Sequence, residues 1–439
     1  MFSLFTRLRY CVAVLSWMLS AAAFAEAGTT LPDQSFAPTE LASYLAAVLN
    51  NHPELKAADA TVAAAQARAE GLSQPLYNPE LSLDAQRAQS ESYSVGLNQM
   101  LDLSGKRSAR RLSGQKLLEQ AVAERTALRQ KLVTEILSAL ADYQSKQAAL
   151  ALAQQRFELM QRFSSIADQQ YQAGDTGILD RNLGNLAFAE AVALIGRAEL
   201  EQLQARRNLD AVTRNTSIEP PGFPSSPPAP SVLRRDFDTL AQALPQVRAS
   251  NARVAAAMAD VEIARSNGHA DPTIGIRGGR ESSESKSGKA LVGLQLSIPL
   301  FVRNNFQAEQ AAAAATADTA RIETSALYQQ ALTRMKAGAS QYSASFTAWQ
   351  RWQTASGDRL DNGIDLLDKV WKAHEISTSE YLLQLKQLLD GRLAGEELKF
   401  QVWRSWAEWL DASGLWREYL VGSDRETTAM PVTANTSGN

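Results

Sequence analysis

The sequence predicts a mainly α protein with a β-barrel part: long antiparallel helical hairpins forming an α-barrel, plus four transmembrane strands per chain contributing to a shared β-barrel. Three observations lead there. The chain is written twice. Asn78-Pro79-Glu80-Leu81-Ser82-Leu83, followed by Tyr93-Ser94-Val95-Gly96-Leu97, returns about 195 positions later as Asp271-Pro272-Thr273-Ile274-Gly275-Ile276, followed by Leu291-Val292-Gly293-Leu294. A similar offset relates Tyr171-Gln172-Ala173-Gly174 to Trp371-Lys372-Ala373-His374, and Leu209-Asp210-Ala211 to Leu410-Asp411-Ala412. Finally, each strand pair is followed by about 70 residues without proline, enough for a helix of ~100 Å.

The first residues carry Arg7 and Arg9, an apolar run from Tyr10 to Leu19 and the small-x-small sequence Ala23-Phe24-Ala25. Residues 1–25 are therefore expected to be a secretory signal peptide. Cys11, the single cysteine, lies inside it, so disulfides and thiolate metal sites are not expected afterwards. A net charge of −3 over 439 residues gives no reason to expect nucleic acid. No later stretch reaches the ~20 apolar residues of a membrane helix, so any entry into a membrane must use strands.

The first repeat is expected over 26–215. A helical pattern runs from Leu41 to Ser73 through Leu45, Val48, Leu49, Leu55 and Val62, with Pro53 as a break point. Strands follow at 79–88 and 91–101, then a long helix at 104–172 and a returning helix at 178–214. A Pro-rich linker, 216–231, separates this from the second repeat, 232–421, and should cross the outside of the helices. That repeat should hold strands at 271–281 and 289–300, a long helix at 304–373 and a returning helix at 377–412. The polar tail, 422–439, is expected to be disordered.

The strands alternate. Leu81, Leu83, Tyr93, Val95, Leu97, Ile274, Ile276, Val292, Leu294 and Leu296 fall on apolar faces and are the candidate lipid-facing residues, opposite Ser82, Asp84, Ser94, Gly96, Asn98 and Gln295. A half-buried soluble strand would show the same alternation. Four strands cannot close a barrel, and an open edge in hydrocarbon leaves backbone groups unpaired at several kcal/mol each. Several copies must then share one barrel of 8, 12 or 16 strands, a choice that closure alone leaves open.

With these features in place, the chain resembles a TolC-type outer-membrane efflux protein across nearly its whole length. The resemblance rests on Tyr77-Asn78-Pro79-Glu80-Leu81, on Tyr171-Gln172-Ala173-Gly174 with Ile178 and Leu179, and on the closing Leu-Asp-Ala segments. Leu101-Asp102-Leu103-Ser104-Gly105-Lys106-Arg107 and Ile298-Pro299-Leu300-Phe301 are similar to the cobalt-zinc-cadmium resistance branch. The sequence departs from the family at His374, where glycine is usual, and at Asn305-Phe306 in place of Gln-Gly.

The resemblance implies a homotrimer with a 12-stranded barrel in outer-membrane lipid and a helical tunnel in the periplasm. It implies a periplasmic membrane-fusion adaptor and an inner-membrane pump of the resistance-nodulation-division type as partners, no cofactor and no catalysis. Gly174, Asp175, Thr176, Gly177, Ile178 and Leu179, with His374, Glu375, Ile376 and Ser377, are then the adaptor-contact tips. Asp180 and Glu380, repeated by symmetry, are candidates for a tunnel-mouth gate, although Ser377-x-x-Glu380 also reads as a capping box. His52, His269 and His374 lack the spacing of a metal site. The tryptophans Trp349, Trp352, Trp371, Trp403, Trp406, Trp409 and Trp416 read as core. The expected function is a passive, gated exit duct of a tripartite efflux system, with heavy-metal cations as the expected cargo. The alternatives are the same duct for drug export or type I protein secretion, and a soluble periplasmic coiled-coil scaffold or adaptor.

Overall fold

The structure is a computed structural model that describes residues 37–87, 90–214, 218–233, 235–283, 286–356, 359–373 and 375–421. Residues 1–25, the tail 422–439 and His374 lie outside them. The first repeat comprises α1 (Thr39–Asn51), α2 (Pro53–Ser73), β1 (Glu80–Arg87), β2 (Ser90–Met100), α3 (Lys106–Ala173) and α4 (Ile178–Thr213). The second comprises α5 (Phe237–Ala243), α6 (Pro245–Asn267), β3 (Thr273–Ser283), β4 (Lys286–Ser297), α7 (Gln307–Ser356), α8 (Arg359–Lys372), α9 (Thr378–Ser413) and α10 (Trp416–Val421). No helix among the described residues is long and apolar enough to cross a membrane.

Each boundary has a local cause. Pro53 cannot donate to the helix before it and holds His52 extended, so α1 stops and α2 starts with proline in its first turn. The Asp102 carboxylate accepts from the backbone N–H groups of Lys106 and Arg107, at 2.9 and 2.7 Å, and so satisfies the free donors that open α3. After 68 residues α3 ends on Gly174 at φ 83°, where Asp175 N–H donates to the Gln170 carbonyl in a six-to-one bond. At ~1.5 Å per residue this helix spans ~100 Å.

The second long helix, expected over 304–373, is described as two, α7 and α8, on either side of residues 357–358. It begins beyond Phe306, which sits at φ 59°. Its counterpart in the first repeat, Gly105, has φ 75°, so both long helices are entered through a left-handed residue. Glycine adopts that conformation without cost, whereas Phe306 is held in it with its ring edge-on to Phe301 at 5.1 Å.

The main core lies midway along the helices. Leu41, Leu45, Val48, Val133, Ile136, Leu140, Leu209 and Val247 meet Tyr342, Trp403, Trp406 and Trp409 there, all buried. The described part of the linker, residues 218–231, packs against this core. Phe223 stacks on Trp403 at 4.6 Å, its N–H donates to Gln144 at 3.0 Å, and the Tyr342 hydroxyl donates to the Pro228 carbonyl. Proline keeps such a strap extended, and the aromatic contact gives it a place to land.

A second cluster, nearer the helix tips, stacks Phe163 of α3 on Tyr381 of α9 at 5.3 Å, and Tyr381 on Trp371 of α8 at 4.8 Å. Arg156, with a side chain 12% exposed, links α3 to Glu190 of α4 at 3.2 Å and to Asp390 of α9 at 3.5 Å. The hairpins of the two repeats are thus packed side by side.

Packing is close where α9 crosses α7. A Cβ at Gly395 would clash with the edge of the Trp352 ring, whereas one at Gly196, on α4, would meet nothing within 4 Å. Gly395→Ala is expected to cost about 2 kcal/mol by overpacking, and Gly196→Ala to be neutral or stabilising by up to about 1 kcal/mol. Thermal loss of the helical circular-dichroism signal checks both.

Candidate functional site

The candidate functional surface lies in three places: the sheet, its junction with the helices, and the two tips. The sheet has the order β1-β2-β3-β4, antiparallel throughout, with β1 and β4 as free edges. Register aligns side chains into rows across all four strands. Leu81, Leu97, Ile276 and Leu294 form one row, and Leu83, Val95, Gly278 and Val292 the next. Directly paired residues share a face, so these rows make one continuous apolar surface, joined by Tyr93, Ile274 and Leu296.

All ten candidate residues are exposed, from 48% at Leu97 and Ile274 to 87% at Val292. A soluble sheet would press this face onto a core, and here nothing in the described chain covers it. The opposite face carries Glu80, Asn98, Gly275 and Gln295 in one row and Ser82, Gly96, Arg277 and Gly293 in the next. Its glycines stand beside longer neighbours: a Cβ at Gly96 would lie 2.5 Å from Ser82 Oγ, and one at Gly293 2.8 Å from Arg277 Nε.

At the junction, Asp271 is 3% exposed and joins residues of both repeats. Lys106 Nζ and the Tyr77 hydroxyl each donate to Asp271 Oδ2 at 2.6 Å, and Lys106 also donates to the His269 carbonyl at 3.2 Å. Burial pushes the Asp271 carboxyl upward, but the bonds from Lys106 and Tyr77 outweigh it and hold it below the usual 3.8. The Tyr77 hydroxyl is pushed up to about 12, by burial first and by the Asp271 carboxylate second. The sequence expectations did not include this cluster. Its one signal there is an asymmetry between the repeats, since Asp271 and Lys106 are charged where the counterparts Asn78 and Gln307 are neutral.

At the first tip, Gly174, Asp175 and Gly177 are exposed and Thr176 is half-buried, while Ile178 and Leu179 stand 56% and 68% exposed. Arg181 closes the turn by pairing with Asp168 at 2.6 Å and lying over the Tyr171 ring at 5.1 Å. At the second tip, Glu375 N–H donates to the Val370 carbonyl in the same six-to-one bond, Glu375 is exposed and Ile376 half-buried. Ser377 Oγ accepts from the Glu380 N–H at 3.2 Å, a helix cap. Asp180 is half-buried and Glu380 exposed, each in the first turn of its helix. His52 is buried between α1 and α2, its Nε2 3.2 Å from the Val212 carbonyl, and among the described residues no cluster of three His, Cys, Asp or Glu side chains could hold a metal ion.

Residues 45–213 match the outer membrane efflux protein family. The solved structures most similar to the chain include a membrane protein from Pseudomonas aeruginosa, with a TM-score of 0.70 at 19% identity over 87% of this chain and 95% of that one. CusC, a transmembrane channel, gives 0.69 at 16% identity over 86% and 92%. This is the fold of a TolC-type outer-membrane efflux protein. Proteins of this kind are outer-membrane channels with large periplasmic helical parts, and the chain shares that location in the outer membrane, with a large helical part in the periplasm.

Among characterised relatives, the cobalt-zinc-cadmium resistance protein CzcC of Cupriavidus metallidurans is 26% identical over 52% of this chain and 55% of its own length. The nickel-cobalt-cadmium resistance protein NccC of Alcaligenes xylosoxydans xylosoxydans is 28% identical over 62% and 64%. CyaE of Bordetella pertussis is 30% identical over 64% and 65%. The chain thus spans between 55% and 65% of the length of these relatives.

The junction makes a pH-dependent contribution. Because the Asp271 pKa is depressed, the stability it confers is present above its ordinary 3.8 and lost as pH falls through the lower folded value. Lys106→Met is expected to cost about 3 kcal/mol, by leaving a buried carboxylate without its partner charge, and the Lys106→Met/Asp271→Leu double variant to recover most of it. Thermal unfolding at pH 7 measures both effects. The single variant should lose its deficit as pH is lowered below about 4.

Proposed function

We propose that the chain is the outer-membrane exit duct of a tripartite efflux system for heavy-metal cations. The observation that carries the reading is the four-stranded sheet, whose whole apolar face is exposed, mounted on hairpins ~100 Å long. Three copies give 12 antiparallel strands, an even number that closes without an edge. Leu81, Leu83, Tyr93, Val95, Leu97, Ile274, Ile276, Val292, Leu294 and Leu296 then face lipid, and the opposite rows line water. The tips around Gly174 and Glu375 meet a periplasmic adaptor, which passes cargo from an inner-membrane pump. Cobalt and cadmium are proposed as cargo because the names of two relatives carry both, and zinc because one of them carries it as well.

The chemistry asked of the chain is positional. A water-filled tube selects little, so opening is the regulated step, and adaptor contact favours the open arrangement by binding it more tightly. Acidic side chains repeated around a tunnel mouth attract and retain cations, which is the role proposed for Asp180 and Glu380.

Detergent-purified protein in a planar bilayer is expected to form small channels from a trimer, blocked by divalent cations. Asp180→Ala should reduce cation block, and unchanged currents would remove Asp180 from the gate. Loss of the protein in its host should lower the cobalt, zinc or cadmium concentration that arrests growth. Unaltered metal tolerance, with the channel intact, would assign the duct to another cargo.

A further inference from the structure

We propose that Arg277 sets the register between neighbouring copies, reaching across β4 to a carboxylate, Glu80 or Asp84, on β1 of the next copy. The proposal rests on the shared-barrel reading. Strand directions alternate through β1, β2, β3 and β4, so β4 of one copy and β1 of the next meet antiparallel, like every pair within the sheet.

Side-chain alternation fixes part of that register. A slip of one residue at the seam would set the apolar row of one copy beside the polar row of the next, and is excluded. The exclusion holds for Val292, Leu294 and Leu296 on β4 and for Leu81 and Leu83 on β1. A slip of two residues preserves both faces, so hydrophobicity cannot reject it. Something on the polar face has to.

The polar face offers unpaired charges on either side of the seam. Glu80 and Asp84 lie on β1, and neither side chain has an ion pair or hydrogen bond among the described residues. Arg277 lies on β3, in a row with Ser82, Gly96 and Gly293 that contains no acid, and it too has no such partner. Its side chain runs over Gly293: a Cβ there would lie 2.8 Å from Arg277 Nε and 3.1 Å from Cγ. The missing side chain therefore opens a path for the guanidinium toward the free edge of β4. Lys289, further along β4, lies opposite Glu281 within the sheet, whereas Arg277 has no acid in its own row.

An exposed pair of this kind is weak, and its effect lies in discrimination. A slip of two residues moves a carboxylate about 7 Å along the strand, beyond the reach of a salt bridge. Closure repeats the pair at every seam, so a small preference per seam is multiplied.

The test uses the full-length protein extracted from outer membranes and resolved, unheated and after graded heating, on denaturing gels. Arg277→Glu and Arg277→Gln are expected to lower the oligomer-to-monomer ratio, the reversal by about tenfold at the temperature where the native oligomer is half dissociated. Combining Arg277→Glu with Glu80→Arg or with Asp84→Arg should restore the ratio in one of the two doubles, which names the partner. Native oligomers with neutral Arg277 variants, or with neither double restored, overturn the clamp and leave the duct standing. Absence of any oligomer in the native protein overturns the shared barrel and the clamp with it.

Discussion

Backbone pairing is the constraint on which the rest of this molecule depends. Each N–H and C=O of a strand in hydrocarbon must find a partner, because no water is present to supply one. Four strands leave two unpaired rows, one along β1 and one along β4. In the proposed shared barrel, the even number of strands and the common apolar face through all four follow from closing the sheet against copies of itself. An odd number would bring two parallel edges together at each seam, and a switch of face between repeats would break the lipid surface.

The junction solves a different problem. Strands of about 10 residues, tilted in a membrane, must be joined to a helix of 68 without the two parts turning independently. Lys106 begins α3 and Asp271 precedes β3, so their buried pair ties the helix that leaves one strand pair to the strand that begins the other. Burying such a pair contributes little net stability, since desolvation offsets attraction. Its value lies in direction. Tyr77 and Lys106 converge on one carboxylate oxygen, and misalignment would leave a charge buried alone.

The features legible in the sequence are those with a short period or a long run. Period-two alternation in Tyr93, Val95 and Leu97 shows itself within five residues, and the absence of proline over α3 marks a helix without knowledge of its neighbours. The duplicated strand motifs supplied the order of elements. What stayed hidden depends on distant partners. Lys106 and Asp271 are separated by 165 residues, and neither has a local pattern. The linker reads as an extended polar strap, and only the position of Trp403 explains why Phe223 docks on the core. Phe306 reads as a loss of glycine, yet it keeps the left-handed backbone of Gly105, so the conformation outlasted the residue that adopts it most easily.

The two tips show how duplication can divide labour. In the first hairpin the residues three before and seven after Gly174 are Tyr171 and Arg181, which meet as a cation over a ring at 5.1 Å. The same positions of the second repeat hold Trp371 and Tyr381, stacked at 4.8 Å. The pairing is common to both turns and its chemistry differs. Tyr171 and Arg181 remain partly wet, whereas Trp371 and Tyr381 are buried against Phe163. Because Phe163 lies eight residues before Tyr171, the second turn rests on the flank of the first hairpin, roughly two helical turns short of its end. An apolar stack that loses its neighbour exposes surface, but a hydrated cation over a ring does not. The second turn is therefore the one fixed by packing, whereas the first keeps Ile178 and Leu179 in solvent, with no neighbour in the described chain to cover them.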